Sequence, residues 1–98
     1  MKVILNKNGS TLEVKVTERL DTTTAPQLEA ELGGQLTDVE KLVLDFEELN
    51  YVSSAGLRVL LALQKIMNKQ GEMVVRNVNE SIMEVFDITG FVDVLTIE

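Results

Sequence analysis

The chain has 98 residues, a formal net charge of −7, 45% hydrophobic and 26% charged residues, and neither histidine nor cysteine. That size and mix fit one domain with an unstapled core. The missing residue types exclude disulfides, thiolate chemistry, a Ser-His-Asp system and the usual zinc and copper ligands, while the acidic field repels nucleic acid.

The opening stretch MKVILNKNGSTLEV lacks the long apolar segment of a signal peptide. No apolar run approaches the ~20 residues of a membrane helix. A cytoplasmic protein with no membrane insertion is expected, and its partner is expected to be another protein, with basic patches favoured.

KVIL and STLEVKVTE predict an antiparallel hairpin across NKNGS, with Leu12, Val14 and Val16 on one face and Glu13, Lys15 and Thr17 on the other. Asn8-Gly9 predicts a tight turn with positive φ at both central positions. RLDTTTAP reads as a loop. Thr24 is the expected cap of a short helix over APQLEAEL, which carries Pro26 in its first turn and stops at Gly33-Gly34.

KLVLDF suits an interior strand with one acid, Asp45. SAGLRVLLALQKIMNKQG is the longest helix. Val59, Leu60, Leu63, Ile66 and Met67 share a side with Leu57 and Leu61, leaving a narrow stripe of Arg58, Ala62, Lys65 and Lys69. Such a helix is nearly surrounded by protein. Gly71 is its expected stop. EMVVRNV reads as a strand, NESIMEVFDITG as a helix between Asn79 and Gly90, and FVDVLTI as the last strand. The order ββαβαβαβ predicts an α/β domain, a mixed β-sheet with packed helices.

The joint VSSAGL sets Ser53 and Ser54 between a strand and a helix. Three readings are open there: a helix cap, a nucleophile, or a serine modified by a partner. The nucleophile lacks both the G-x-S-x-G turn and a histidine base. The acids show no EF-hand spacing, and no Walker or G-x-G-x-x-G loop is present, so no metal or cofactor is expected. A phosphoacceptor aspartate at Asp45 would need an acidic pair after the first strand, and KVILNKNG has none.

LDFEELNYVSSAGLRVLLALQK resembles the signature of STAS domains, specifically the bacterial anti-sigma factor antagonists. ERLDTTTAPQLEAEL is similar to that family's loop and first helix, and GEMVVRNVNESIMEVFDITGFVDVLTI to its last two strands and third helix. The resemblance covers nearly the whole chain, residues 1–98 as one STAS domain, and its central motif is the specific part. It implies a domain without catalytic activity of its own. The unphosphorylated form would bind an anti-sigma factor that is also a GHKL-type serine kinase, freeing a sigma factor. Phosphorylation at the start of the second helix would end that binding, and a PP2C-like phosphatase would reset it.

By the same resemblance Ser54 occupies the phosphorylated position, with Ser53 the second choice. Sporulation and stress-response members carry aspartate where this chain has Ser53. The partner-binding surface implied is the loop of Asp21, Thr22, Thr23 and Thr24, the joint of Asn50, Tyr51, Ser53 and Ser54, and then Gly56 and Arg58. Read without the family, Asp21 to Thr24 are turn and cap residues, and Arg58, Lys65 and Lys69 a solvated stripe. The alternative function is a STAS interaction module in a stressosome-like scaffold or a lipid-transport complex. A monomer is favoured, and the closing helix of some members is expected to be absent or minimal.

Overall fold

The computed structural model describes residues 1–98. Strand β1 (Val3–Asn8) pairs antiparallel with β2 (Thr11–Val16), and Asn8 lies opposite Thr11. The hairpin loop is therefore Gly9-Ser10, and within it only Gly9 has a positive φ, +65°. This corrects the expected Asn8-Gly9 turn. A two-residue loop with glycine first belongs to the II′ kind, which needs positive φ at that residue alone.

β2 is followed by β3 (Glu18–Leu20), helix α1 (Ala25–Leu32), β4 (Lys41–Asp45), β5 (Leu49–Val52) and helix α2 (Ser54–Asn68). Then come β6 (Glu72–Arg76), helix α3 (Glu80–Thr89), a single 3₁₀ turn (Phe91–Asp93) and β7 (Thr96–Ile97). The main sheet has five strands in the order β1-β2-β4-β6-β7, antiparallel at β1–β2 and parallel elsewhere. It is the mixed sheet with packed helices that the element order implied.

Register fixes which face is the core. Leu12, Leu42 and Met73 align across β2, β4 and β6, as do Val14, Leu44 and Val75. All six belong to one cluster with Leu28 and Leu32 of α1, Leu60, Leu63 and Met67 of α2, and Ile82 and Phe86 of α3. The three helices therefore share one side of the sheet. The residues between those positions point the other way, because side chains alternate along a strand. That open face carries cross-strand ion pairs, including Lys41–Glu72 at 3.4 Å and Arg76–Glu98 at 2.8 Å.

The helix expected to be mostly buried is so. Leu60 is fully buried and Leu63 nearly so, although Ile66 is 42% exposed and belongs to the solvent side. Two short strands went unpredicted. β3 lies in the supposed loop and β5 in the strand–helix joint, and they pair parallel as a separate two-stranded sheet. The last strand is also shorter than FVDVLTI. The amides of Val94 and Leu95 donate to the Phe91 carbonyl at 3.0 and 2.9 Å, so this stretch turns instead of extending.

A candidate partner-binding and modification site

The pairing of β3 with β5 builds the site. Leu20 lies opposite Val52, and both side chains are buried, which anchors the two strand ends in the core. The Ser53 amide then donates to the Leu20 carbonyl at 2.9 Å. Parallel strands end on the same side, so the loop after β3 and the joint after β5 emerge together. Asp21–Thr24 and Ser53–Ser54 are thereby brought side by side.

Asp21 organises its loop. Its Oδ1 accepts from the amides of Thr23 and Thr24 at 3.0 and 3.1 Å. Thr24 is not the side-chain cap expected of it. Its hydroxyl instead donates to the Arg19 carbonyl at 2.6 Å and accepts from the Asp21 amide at 2.9 Å. The Thr24 amide, foremost, holds the Asp21 carboxyl below the usual carboxylate range. Arg19 and the Thr23 amide add to this, against partial desolvation. Thr22 and Thr23 are exposed to solvent.

At the joint the two serines differ. Ser53 has extended backbone angles and caps α2, its Oγ accepting from the Gly56 amide at a long 3.4 Å. Ser54 is the first helical residue, is exposed, and has no intramolecular hydrogen bond on its hydroxyl. Arg58, one turn along, is also exposed and enters none of the six ion pairs of the chain. It lines a shallow cleft of about 330 Å³ with Thr22, Pro26, Glu29 and Ala55.

Sequence reasoning missed Arg19. Its guanidinium lies 4.2 Å from the centre of the Tyr51 ring, and its Nε is 3.3 Å from Asp21 Oδ2. Only the β3–β5 pairing, with Arg19 opposite Tyr51, could have pointed to it. Asn50 is set apart from the other expected residues. It lines a different recess, with Lys2, Thr17, Glu18 and Glu48, as alternation along β5 requires.

Asp45 has a local structural role. It accepts from the Glu47 amide and from Asn77 Nδ2, both at 3.0 Å, tying the end of β4 to the residue after β6. Burial by itself raises its carboxyl, but these bonds, with Lys15 and Arg76 nearby, outweigh that and leave it below the usual range.

No helix is long and apolar enough to cross a membrane. A family model described as STAS domain matches residues 2–98. The chain belongs to the STAS family. This STAS domain is similar to BtrV of Bordetella bronchiseptica, named as an anti-sigma factor antagonist, with 37% identity over 99 residues, covering 99% of this chain and 85% of BtrV. An anti-sigma factor antagonist from Mycobacterium paratuberculosis has the same fold, with a TM-score of 0.88 at 23% identity, covering 98% of this chain and 83% of that one. So does SpoIIAA of Bacillus in its phosphorylated form, with a TM-score of 0.77 at 18% identity, covering 99% and 91%.

Proposed function

We propose that this STAS domain is a cytoplasmic anti-sigma factor antagonist, acting as a monomer and by binding, not by catalysis. Unphosphorylated, it binds an anti-sigma factor of the GHKL serine-kinase type through the loop at 21–24 and the joint at 51–58, and a sigma factor is freed. The kinase then transfers the γ-phosphoryl group of ATP to Ser54 Oγ. The Ser54 O–H bond breaks, its proton passes to a base of the kinase, and ADP leaves. A PP2C-like phosphatase hydrolyses the phosphate and restores binding.

The observation that carries this reading is the exposed, unbonded Ser54 hydroxyl at the start of α2, beside the Asp21–Thr24 loop. Ser53, half-buried and engaged with the Gly56 amide, is the second candidate. The name of BtrV and the phosphorylated SpoIIAA structure support the same reading.

A phosphate on Ser54 adds about −1.5 to −2 charges at the positive end of the helix dipole. That interaction is favourable by roughly 0.3–1 kcal/mol when exposed, so the fold tolerates it. Arg58, four residues on, is within reach. The switch therefore acts on the partner, through charge and bulk at the surface.

Mass spectrometry after incubation with the cognate kinase and Mg-ATP tests this, with phosphate expected on Ser54. Phosphate on Ser53 alone overturns the residue assignment. An active kinase that modifies neither serine overturns the switch and favours an interaction module of a stressosome-like scaffold or lipid-transport complex.

A further inference from the structure

Seven large hydrophobic side chains of the chain are exposed, and three of them, Ile88 at 78%, Val92 at 37% and Val94 at 42%, fall in the last turn of α3, in the 3₁₀ turn after it and at the residue that caps that turn. Ile88 is the most exposed of the seven. Scattered apolar residues on a surface are ordinary, but these three lie within one short stretch whose 3₁₀ turn packs back against α3.

The charged residues within this part of the sequence have one sign. Residues 77–98 contain no lysine or arginine, but do contain Glu80, Glu84, Asp87, Asp93 and Glu98. Glu98 pairs with Arg76 at 2.8 Å. The other four acids enter none of the chain's ion pairs. Glu84 lies one helical turn before Ile88 and shares its flank. The acid-rich C-terminal segment thus presents unneutralised carboxylates beside uncovered aliphatic side chains.

We propose that residues 84–94 dock a basic amphipathic segment of another protein. Its apolar side would cover Ile88, Val92 and Val94, and its lysines or arginines would meet Glu84, Asp87 and Asp93. Charge selects this occupant. A second copy meeting through the same surface would set the same acids against themselves, the net charge of −7 opposes a copy approaching by another face, and an anionic lipid surface would be repelled by the acids. The surface shares no residue with the 19–24 and 51–58 site, so its test is independent of the proposed switch.

The test titrates the ¹⁵N-labelled full chain with a synthetic helix of leucine and lysine at amphipathic spacing, and with the same pattern built from leucine and glutamate. The expected result is amide shifts clustered at 84–94 with the lysine peptide only, weakening as salt rises. Ile88→Ser is expected to weaken binding about tenfold, as loss of a central contact does, with an unchanged melting temperature because Ile88 is exposed. Glu84→Lys is expected to weaken it as well, and carries the test if Ile88→Ser unfolds. Shifts clustered elsewhere, equal binding of the glutamate peptide, or undiminished affinity in both variants overturns the proposal. So does a concentration-dependent dimer, or binding to phosphatidylglycerol vesicles, that Ile88→Ser abolishes.

Discussion

Gly56 packs directly on Leu20: a Cβ built on Gly56 would lie 2.7 Å from the Leu20 carbonyl oxygen and 2.9 Å from its Cγ. The same carbonyl accepts the Ser53 amide. One backbone group of β3 therefore seats both the cap and the first turn of α2. The glycine in the serine joint is required by close approach, and the site's geometry depends on it. Gly56→Ala forces the helix away from β3 and is expected to cost about 1–3 kcal/mol, as overpacking does. Urea denaturation checks this. An unchanged midpoint would mean that the joint yields freely.

The two sides of α2 should respond very differently to truncation. Leu60 is fully buried among strand and helix side chains, so Leu60→Ala should cost about 2–5 kcal/mol. Ile66 is 42% exposed, and Ile66→Ala should change stability by less than about 1 kcal/mol. Comparable losses in the two variants, measured by the same denaturation, would contradict the placement of the helix.

What the sequence revealed follows from the length of each pattern. The alternation of Leu12, Val14 and Val16 and the apolar girth from Leu57 to Met67 span enough residues to show a period. β3 and β5 have three and four residues and pair in parallel across the whole of α1 and β4, so no local period marks them. Arg19 was missed for that reason, since its place beside Tyr51 exists only through that pairing. At the far end, FVDVLTI has the composition of a strand, but the turn that follows Gly90 consumes its amides. The serine joint itself was legible as a strand–helix junction. The difference between Ser53, which caps, and Ser54, which is free, depends on side-chain geometry that spacing does not encode.

Asp21 should contribute stability with a defined pH sign. Its folded carboxyl is held below the ordinary value, chiefly by the Thr24 amide. The contribution is therefore present above the unfolded aspartate pKa, near ~3.9, and is lost as pH falls through the lower folded value. The stability difference between the native chain and Asp21→Asn should be constant near neutrality and shrink toward strongly acidic pH. Amide shifts of Thr23 and Thr24 followed through the same titration should move together. A difference that grows on acidification would show that the carboxylate does not hold the loop.

Ser54 is expected to separate folding from switching. Its hydroxyl makes no intramolecular bond, so Ser54→Ala should keep the native melting temperature, bind the cognate kinase and resist phosphorylation. Ser54→Asp places one negative charge at the start of α2, where the helix dipole tolerates it. The fold should again be unaffected, but the complex should weaken, because the charge meets the partner's surface. A tenfold loss corresponds to about 1.4 kcal/mol. Ser53→Ala is the control with the opposite profile: it removes the bond to the Gly56 amide, so it should lower stability by about 0.5–2 kcal/mol and leave phosphorylation at Ser54 intact. Calorimetric binding and thermal melts of the three variants decide the matter. If Ser54→Asp binds the kinase as tightly as the native chain, charge at this position is not the switch, and the partner surface lies elsewhere on the domain.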